Sequence, residues 1–159
     1  MTAGYSGTPL PRKLGIKPGH RLALVGAPAG FEVTLGALPD GVTLLARPWA
    51  SLDVVVCFTT RRADLARRFA PMARALDPAG GLWVAWPKRA SRVPTDLDEN
   101  AVRAVGLEAG LVDNKVCAID ETWSGLRFVY RLADRPARTA RPVRTARTAK
   151  AARSGAFAR

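Results

Sequence analysis

Short apolar runs alternate with amphipathic stretches along most of this chain. Residues 21–25 (RLALV) form an apolar run stopped by Gly26, Ala27 and Pro28, and residues 42–46 (VTLLA) follow a Pro39-Asp40-Gly41 turn. Residues 52–59 (LDVVVCFT) are continuously apolar after Asp53, the pattern of a central parallel strand covered on both faces. Residues 81–86 (GLWVAW) form a fourth run, entered through Pro78-Ala79-Gly80-Gly81 and ended by Pro87.

Between the last two runs, Leu65, Phe69, Met72 and Leu76 recur at helical spacing, which predicts a helix over 61–76 with one apolar face. Pro71 should kink or locally break it. Arg61, Arg62, Arg67 and Arg68 read as its solvated face. A second helix is predicted to begin at Thr95, with Asp98 three residues on as a capping-box-like pair. It presents Val102 and Val105 and ends near Gly110.

Residues 115–120 and 126–132 read as two closing strands joined by Glu121-Thr122-Trp123-Ser124-Gly125, a loop short enough to make them antiparallel neighbours. Leu126, Phe128, Tyr130 and Leu132 alternate with Arg127, Val129 and Arg131. The expected fold class is therefore α/β: a three-layer Rossmann-like domain over residues 21–134. Its mostly parallel, twisted sheet has about six strands and ends in an antiparallel hairpin. The alternation in 126–132 suggests an edge strand.

Composition narrows the function classes. At 159 residues, 48% of them apolar and two of them Cys, the chain suits one domain rather than a multidomain enzyme or a disulfide-stapled module. No apolar run approaches the length of a membrane span, so no membrane partner is expected. The start, MTAGYSGTPLPRK, lacks a signal-peptide layout, which points to the cytoplasm. The net charge of +12 is uneven: residues 135–159 carry eight basic residues and no acid. Residues 1–134 hold 17 basic against 13 acidic residues, a net of +4. The segment 135–159, rich in Ala, Arg and Thr, reads as a disordered tail. It either attracts nucleic acid or another polyanion without sequence preference, or only solubilises the chain.

The stretch 14–31, LGIKPGHRLALVGAPAGF, resembles the opening of class I methyltransferase-type Rossmann folds. There a Pro-Gly turn enters the first strand and a glycine-rich loop meets S-adenosylmethionine. The resemblance covers roughly residues 14–132, with one strand-helix unit missing, and it implies that the last strand inserts between its two predecessors. Gly26 and Gly30 match the outer glycines of a Gly-x-Gly-x-Gly loop, but Pro28 takes the middle position, where it locks φ and removes an N–H. Leu24 stands where that pattern carries an acid, and Arg47 falls near the ribose-gripping acid of the second strand. These departures predict a domain that does not hold S-adenosylmethionine, and no other cofactor is expected. At finer detail, GYSGTPLPRKLGIKPGHR, GGLWVAWPK and LVDNKVCAIDETWSGLR resemble the actinobacterial domain-of-unknown-function family 3052 over roughly residues 4–134. That likeness implies no activity.

Ligands of open α/β sheets bind beyond the carboxyl ends of the strands, where strand order reverses. Gly26, Pro28 and Gly30 after the first strand, Thr59 and Thr60 after the third, and Trp86 at the end of the fourth are the candidate ligand contacts. Lys88 and Arg89 should lie near Asp120, Glu121 and Trp123. Lys88 could contact an anion or act as a general acid, Asp120 or Glu121 could act as a base, and Trp123 could stack on a ligand. The alternative is a salt-bridged rim with Trp123 packed over it. Tyr5, in an extended arm over residues 1–20, could cover the crevice, or the arm could cap a sheet edge. His20 is the only histidine and lies at the wrong end of its strand for a triad, and no metal-binding spacing occurs. Cys57 and Cys117 read as buried, inert thiols.

Three functions fit these features. The first is a non-enzymatic or ligand-sensing methyltransferase-like domain. The second is a small enzyme with its site at Lys88, Asp120, Glu121 and Trp123, acting on a nucleotide-like or anionic substrate. The third is weak association with nucleic acid through the tail.

Overall fold

Val54, Val56 and Phe58 alternate with Val55 and Cys57, and every one of these five side chains is buried, so apolar layers press on both faces of this strand. A computed structural model describes residues 7–45 and 51–135. The described elements are α1 (Leu10–Lys13), β1 (Arg21–Val25), α2 (Phe31–Leu35), β2 (Thr43–Leu45), β3 (Leu52–Phe58), α3 (Arg62–Ala75), β4 (Leu76–Pro87), α4 (Glu99–Glu108), β5 (Val112–Ala118) and β6 (Trp123–Val129). Single 3-10 turns follow β4 at Arg89–Ser91 and β6 at Leu132–Asp134.

The strands form one six-stranded sheet in the order β2-β1-β3-β4-β6-β5. The first four are parallel, and β6 runs antiparallel to both β4 and β5. β6 is thus an interior strand, not the edge its alternation suggested. Leu126 and Phe128 pack against the helical face, while Arg127 on the opposite side lies across Gly81, its guanidinium in the space a Cβ would occupy. Partial burial lowers the Arg127 pKa, and the side chain keeps a 3.4 Å contact with the Asn114 amide oxygen. Cover on that side is thin enough for the charge to stay wet.

One face packs on α3 and α4 through Leu65, Phe69, Met72, Val102 and Val105. The other is covered by much shorter elements, with Leu14, Ile16, Phe31 and Leu35 packed on Leu22, Val54, Val56 and Trp83. The segment before β1 is therefore not extended throughout. It makes a turn of helix and lies on a sheet face, because Leu14 and Ile16 have apolar surface to bury there.

Several details differ from expectation. Strand β4 starts at Leu76, ahead of the run expected from residue 81 and on the residue expected to end the helical stripe. Helix α3 passes through Pro71 without a break, since Pro71 and Arg67 sit on the exposed side and water can bond the carbonyl a proline cannot reach. Helix α4 starts at Glu99, because Asp98 is itself the cap and accepts the Ala101 N–H at 2.8 Å. Thr95 instead donates its hydroxyl to the Thr60 carbonyl at 2.7 Å. The hairpin strands begin three residues earlier than the apolar pattern indicated. Tyr5, Arg47 and residues 136–159 lie outside the described residues.

No helix among the described residues is long and apolar enough to cross a membrane.

Candidate functional site

Strand order reverses at β1, which has β2 on one side and β3 on the other, so the crevice opens beyond the carboxyl ends of β1 and β3. Gly26 leaves β1 at φ +69°, and a Cβ there would stand 2.9 Å from the Phe58 carbonyl oxygen. The two strand ends meet at this glycine. Gly30, at φ +79°, caps α2 and faces open space. Between them Pro28 contributes only a carbonyl, which accepts the Phe31 N–H at 3.1 Å. Leu24 is buried in the apolar layer under α2 and offers no polar atom to the crevice beyond its backbone.

The end of β3 is polar and internally satisfied. The Thr59 hydroxyl, nearly buried, lies 3.3 Å from the Asp64 carboxylate and 3.3 Å from both the N–H and the carbonyl of Arg61. Asp64 pairs with Arg67 and, at 3.3 Å, with the Nε of Arg68. The Arg68 guanidinium reaches to 3.6 Å from the position a Gly26 Cβ would take. Burial pushes the Cys57 thiol up to about 11, against a smaller lowering by the charge and hydrogen bond of Arg68. Arg68 therefore links Asp64, Cys57 and the end of β1 and is not merely part of a solvated helix face. The i, i+4 spacing of Asp64 and Arg68 was the available signal for the pair.

On the far rim, the Lys88 N–H donates to the Thr122 carbonyl at 2.7 Å and Pro87 pairs with Trp123, which brings the end of β4 and the β5–β6 turn together. Asp120 closes that turn: its Oδ1 accepts the N–H groups of Thr122 and Trp123, both at 2.8 Å. Glu121 is exposed. Among the described residues no ion pair joins Lys88 to Asp120 or Glu121. Trp123 is half-buried, edge-on to Phe58 with centroids 5.1 Å apart, and Phe58 in turn meets Phe31 at 4.8 Å. This aromatic column floors the crevice from the hairpin to the start of α2.

Thr60 turns away from the crevice, its carbonyl taken by the Thr95 hydroxyl and, at 3.4 Å, the Asp96 N–H. Trp86 is buried in the α3/α4 core, and Trp83 is buried in the apolar layer on the opposite face of the sheet. His20 accepts the Lys17 N–H on Nδ1 in the turn before β1. Cys57 is fully buried, whereas Cys117 is only half-buried and its pKa is raised chiefly by desolvation. Among the described residues no group of three or more His, Cys, Asp or Glu side chains is placed to hold a metal ion.

Solved structures share this architecture. A S-adenosylmethionine-dependent methyltransferase from Aquifex aeolicus superposes with a TM-score of 0.54 at 18% identity, covering 74% of this chain and 85% of that one. The fold is a methyltransferase Rossmann fold. The magnesium protoporphyrin IX methyltransferase of Synechocystis, with S-adenosylhomocysteine bound, gives 0.51 at 13% identity over 72% of this chain and 75% of its own. A chain from the complex of the Haloferax volcanii Trm112 methyltransferase activator with a methyltransferase gives 0.53 at 13%, covering 77% and 87%. No protein-family model and no curated protein matches the sequence. At these identities the likeness concerns the methyltransferase fold alone.

Proposed function

We propose that this chain is a methyltransferase-like domain that acts by binding rather than by methyl transfer, with a glycine loop that does not hold S-adenosylmethionine. The observation that carries this reading is the make-up of residues 24–30. The position of an acid is the buried Leu24, and the middle of the loop is Pro28, which has no N–H to give. Beside the loop, Arg68 is held by Asp64 over the end of β1, adding a guanidinium to the wall of the crevice.

Within the methyltransferase fold, we place the chain with the domain-of-unknown-function family 3052 on its 4–21, 80–88 and 111–127 segments. The enzymatic alternative at Lys88, Asp120, Glu121 and Trp123 has less support. Asp120 Oδ1 is engaged by two backbone N–H groups, and Trp123 is half-buried against Phe58. A thermal-shift panel of S-adenosylmethionine, nicotinamide dinucleotides and adenine nucleotides separates these readings. The expected result is no stabilisation by S-adenosylmethionine; a reproducible, saturable rise in Tm with it would overturn the proposal. Association of the 135–159 segment with nucleic acid is tested by salt titration of duplex DNA binding with and without those residues.

A further inference from the structure

The loop between β4 and α4 borders a half-open cavity of about 430 Å³ whose lining includes neither the glycine loop nor Lys88, Asp120, Glu121 or Trp123, and Arg89 lies here rather than beside Asp120 as the sequence suggests. Trp86 and Leu97 lie beneath it, nearly fully buried, and the exposed Val93 and Pro94 lend its apolar surface. Arg89 and Arg92 stand at its wall, both exposed, and neither is in an ion pair among the described residues. Asp96 and Asp98 face the cavity from the α4 side, each with one carboxylate oxygen already taken, by the Arg62 N–H at 2.7 Å and the Ala101 N–H at 2.8 Å.

The loop is braced along its length. The Ser91 hydroxyl donates to the Lys88 carbonyl at 2.7 Å and accepts the Val93 N–H at 3.2 Å. Thr95 ties the loop to Thr60 and accepts the Leu97 N–H at 3.1 Å. Arg92 is held at φ +63°, a left-handed conformation that costs a non-glycine residue on the order of 1 kcal/mol. Neither burial nor pairing of its side chain accounts for an arginine there. A glycine would sit at that backbone with less strain.

We propose that this cavity binds a small organic oxyanion, a carboxylate or phosphate carried on an apolar body. Two guanidinium groups without carboxylate partners match an oxyanion, for which arginine offers a planar fork of donors. Val93 and Pro94 offer the surface for the apolar body, and the volume sits near the lower end of the small-ligand range. The acids on the opposite wall fix polarity, because an anionic head is repelled from the α4 side and attracted to the arginine side. The proposal is independent of whether the glycine loop holds a nucleoside.

The test is an amide-resolved NMR titration of the full chain with phenyl phosphate and with benzoate, against inorganic phosphate as the bare anion and benzyl alcohol as the uncharged body. Either of the first two, or both, should shift the amides of 89–98 and the Trp86 indole saturably, and which of them does so distinguishes phosphate from carboxylate. Arg89→Ala and Arg92→Gly, the latter relieving backbone strain, should each weaken binding about tenfold. The proposal is overturned if shifts are confined to residues 136–159 or persist unchanged in both variants. It is equally overturned if neither phenyl phosphate nor benzoate binds, if benzyl alcohol binds as well as they do, or if inorganic phosphate matches phenyl phosphate.

Discussion

The indole N–H of Trp83 donates a 3.0 Å hydrogen bond to the main-chain carbonyl of Leu14, and both residues are fully buried. One bond thus ties the segment before β1 to the middle of β4, on the face of the sheet that no long helix covers. Trp83→Phe removes the donor and leaves the Leu14 carbonyl unsatisfied in an apolar layer. The expected loss is about 2–4 kcal/mol in urea unfolding. Trypsin cleavage after Arg12 or Lys13 should accelerate with it. Unchanged stability and cleavage would show that the segment is held by packing alone.

Gly26 and Gly30 share a positive φ but differ in surroundings, which separates two costs. Gly30→Ala meets no atom within 4 Å and should lose only the conformational cost, about 1 kcal/mol. Gly26→Ala adds a collision with the Phe58 carbonyl, so its loss should exceed that of Gly30→Ala by about 1 kcal/mol or more. Equal losses in denaturant titrations would mean that the ends of β1 and β3 are not in contact.

Gly106 faces the ring of Phe128, which a Cβ would overlap. Alanine is otherwise the better helix residue by about 1 kcal/mol. Gly106→Ala should therefore destabilise the protein by about 1–3 kcal/mol, yet become neutral or stabilising in a Phe128→Leu background, as a double-mutant cycle would show. Destabilisation in both backgrounds would place the clash elsewhere.

The buried thiol of Cys57 gives a pH dependence of defined sign. Folding raises its pKa from 9.0 to about 11, chiefly through desolvation. The folded state keeps the proton that the unfolded state releases, so this contribution is complete below pH 9 and falls away as pH rises through 11. The difference in stability between the native protein and Cys57→Ala should therefore shrink by about 3 kcal/mol across that window. A pH-independent difference would mean that the thiol is accessible. At pH 8 a thiol reagent should modify the half-buried Cys117 before Cys57.

What could be read from the sequence divides along physical lines. The β3 and β4 runs, the α3 stripe and the closing hairpin were legible because local apolar periodicity is dictated by which side faces the core. The interior position of β6 was not, since the alternation of Arg127 and Arg131 reports solvent access, and a strand under thin cover keeps that access inside a sheet. Helix α2 is five residues long and carries too short a pattern to register. At the candidate site, the convergence of the β1, β3, β4 and β5 ends followed from the βαβ pattern. The i, i+4 spacing signals the Arg68–Asp64 pair, but the contact of Arg68 with Cys57 and the unpaired arginines of the Trp86–Asp98 cavity depend on rotamers and on loop bracing by Ser91 and Thr95. Residue spacing does not reveal those.

The central claim concerns residues 24–30, and equilibrium dialysis of the full chain against radiolabelled S-adenosylmethionine addresses it most directly. With Leu24 and Pro28 in place, retention should rise linearly with ligand up to about 1 mM, the weak end of ordinary affinities. The double variant Leu24→Asp, Pro28→Gly should retain more label than the native chain. Saturable retention by the native chain at micromolar ligand, lost on Gly30→Trp, would contradict the account.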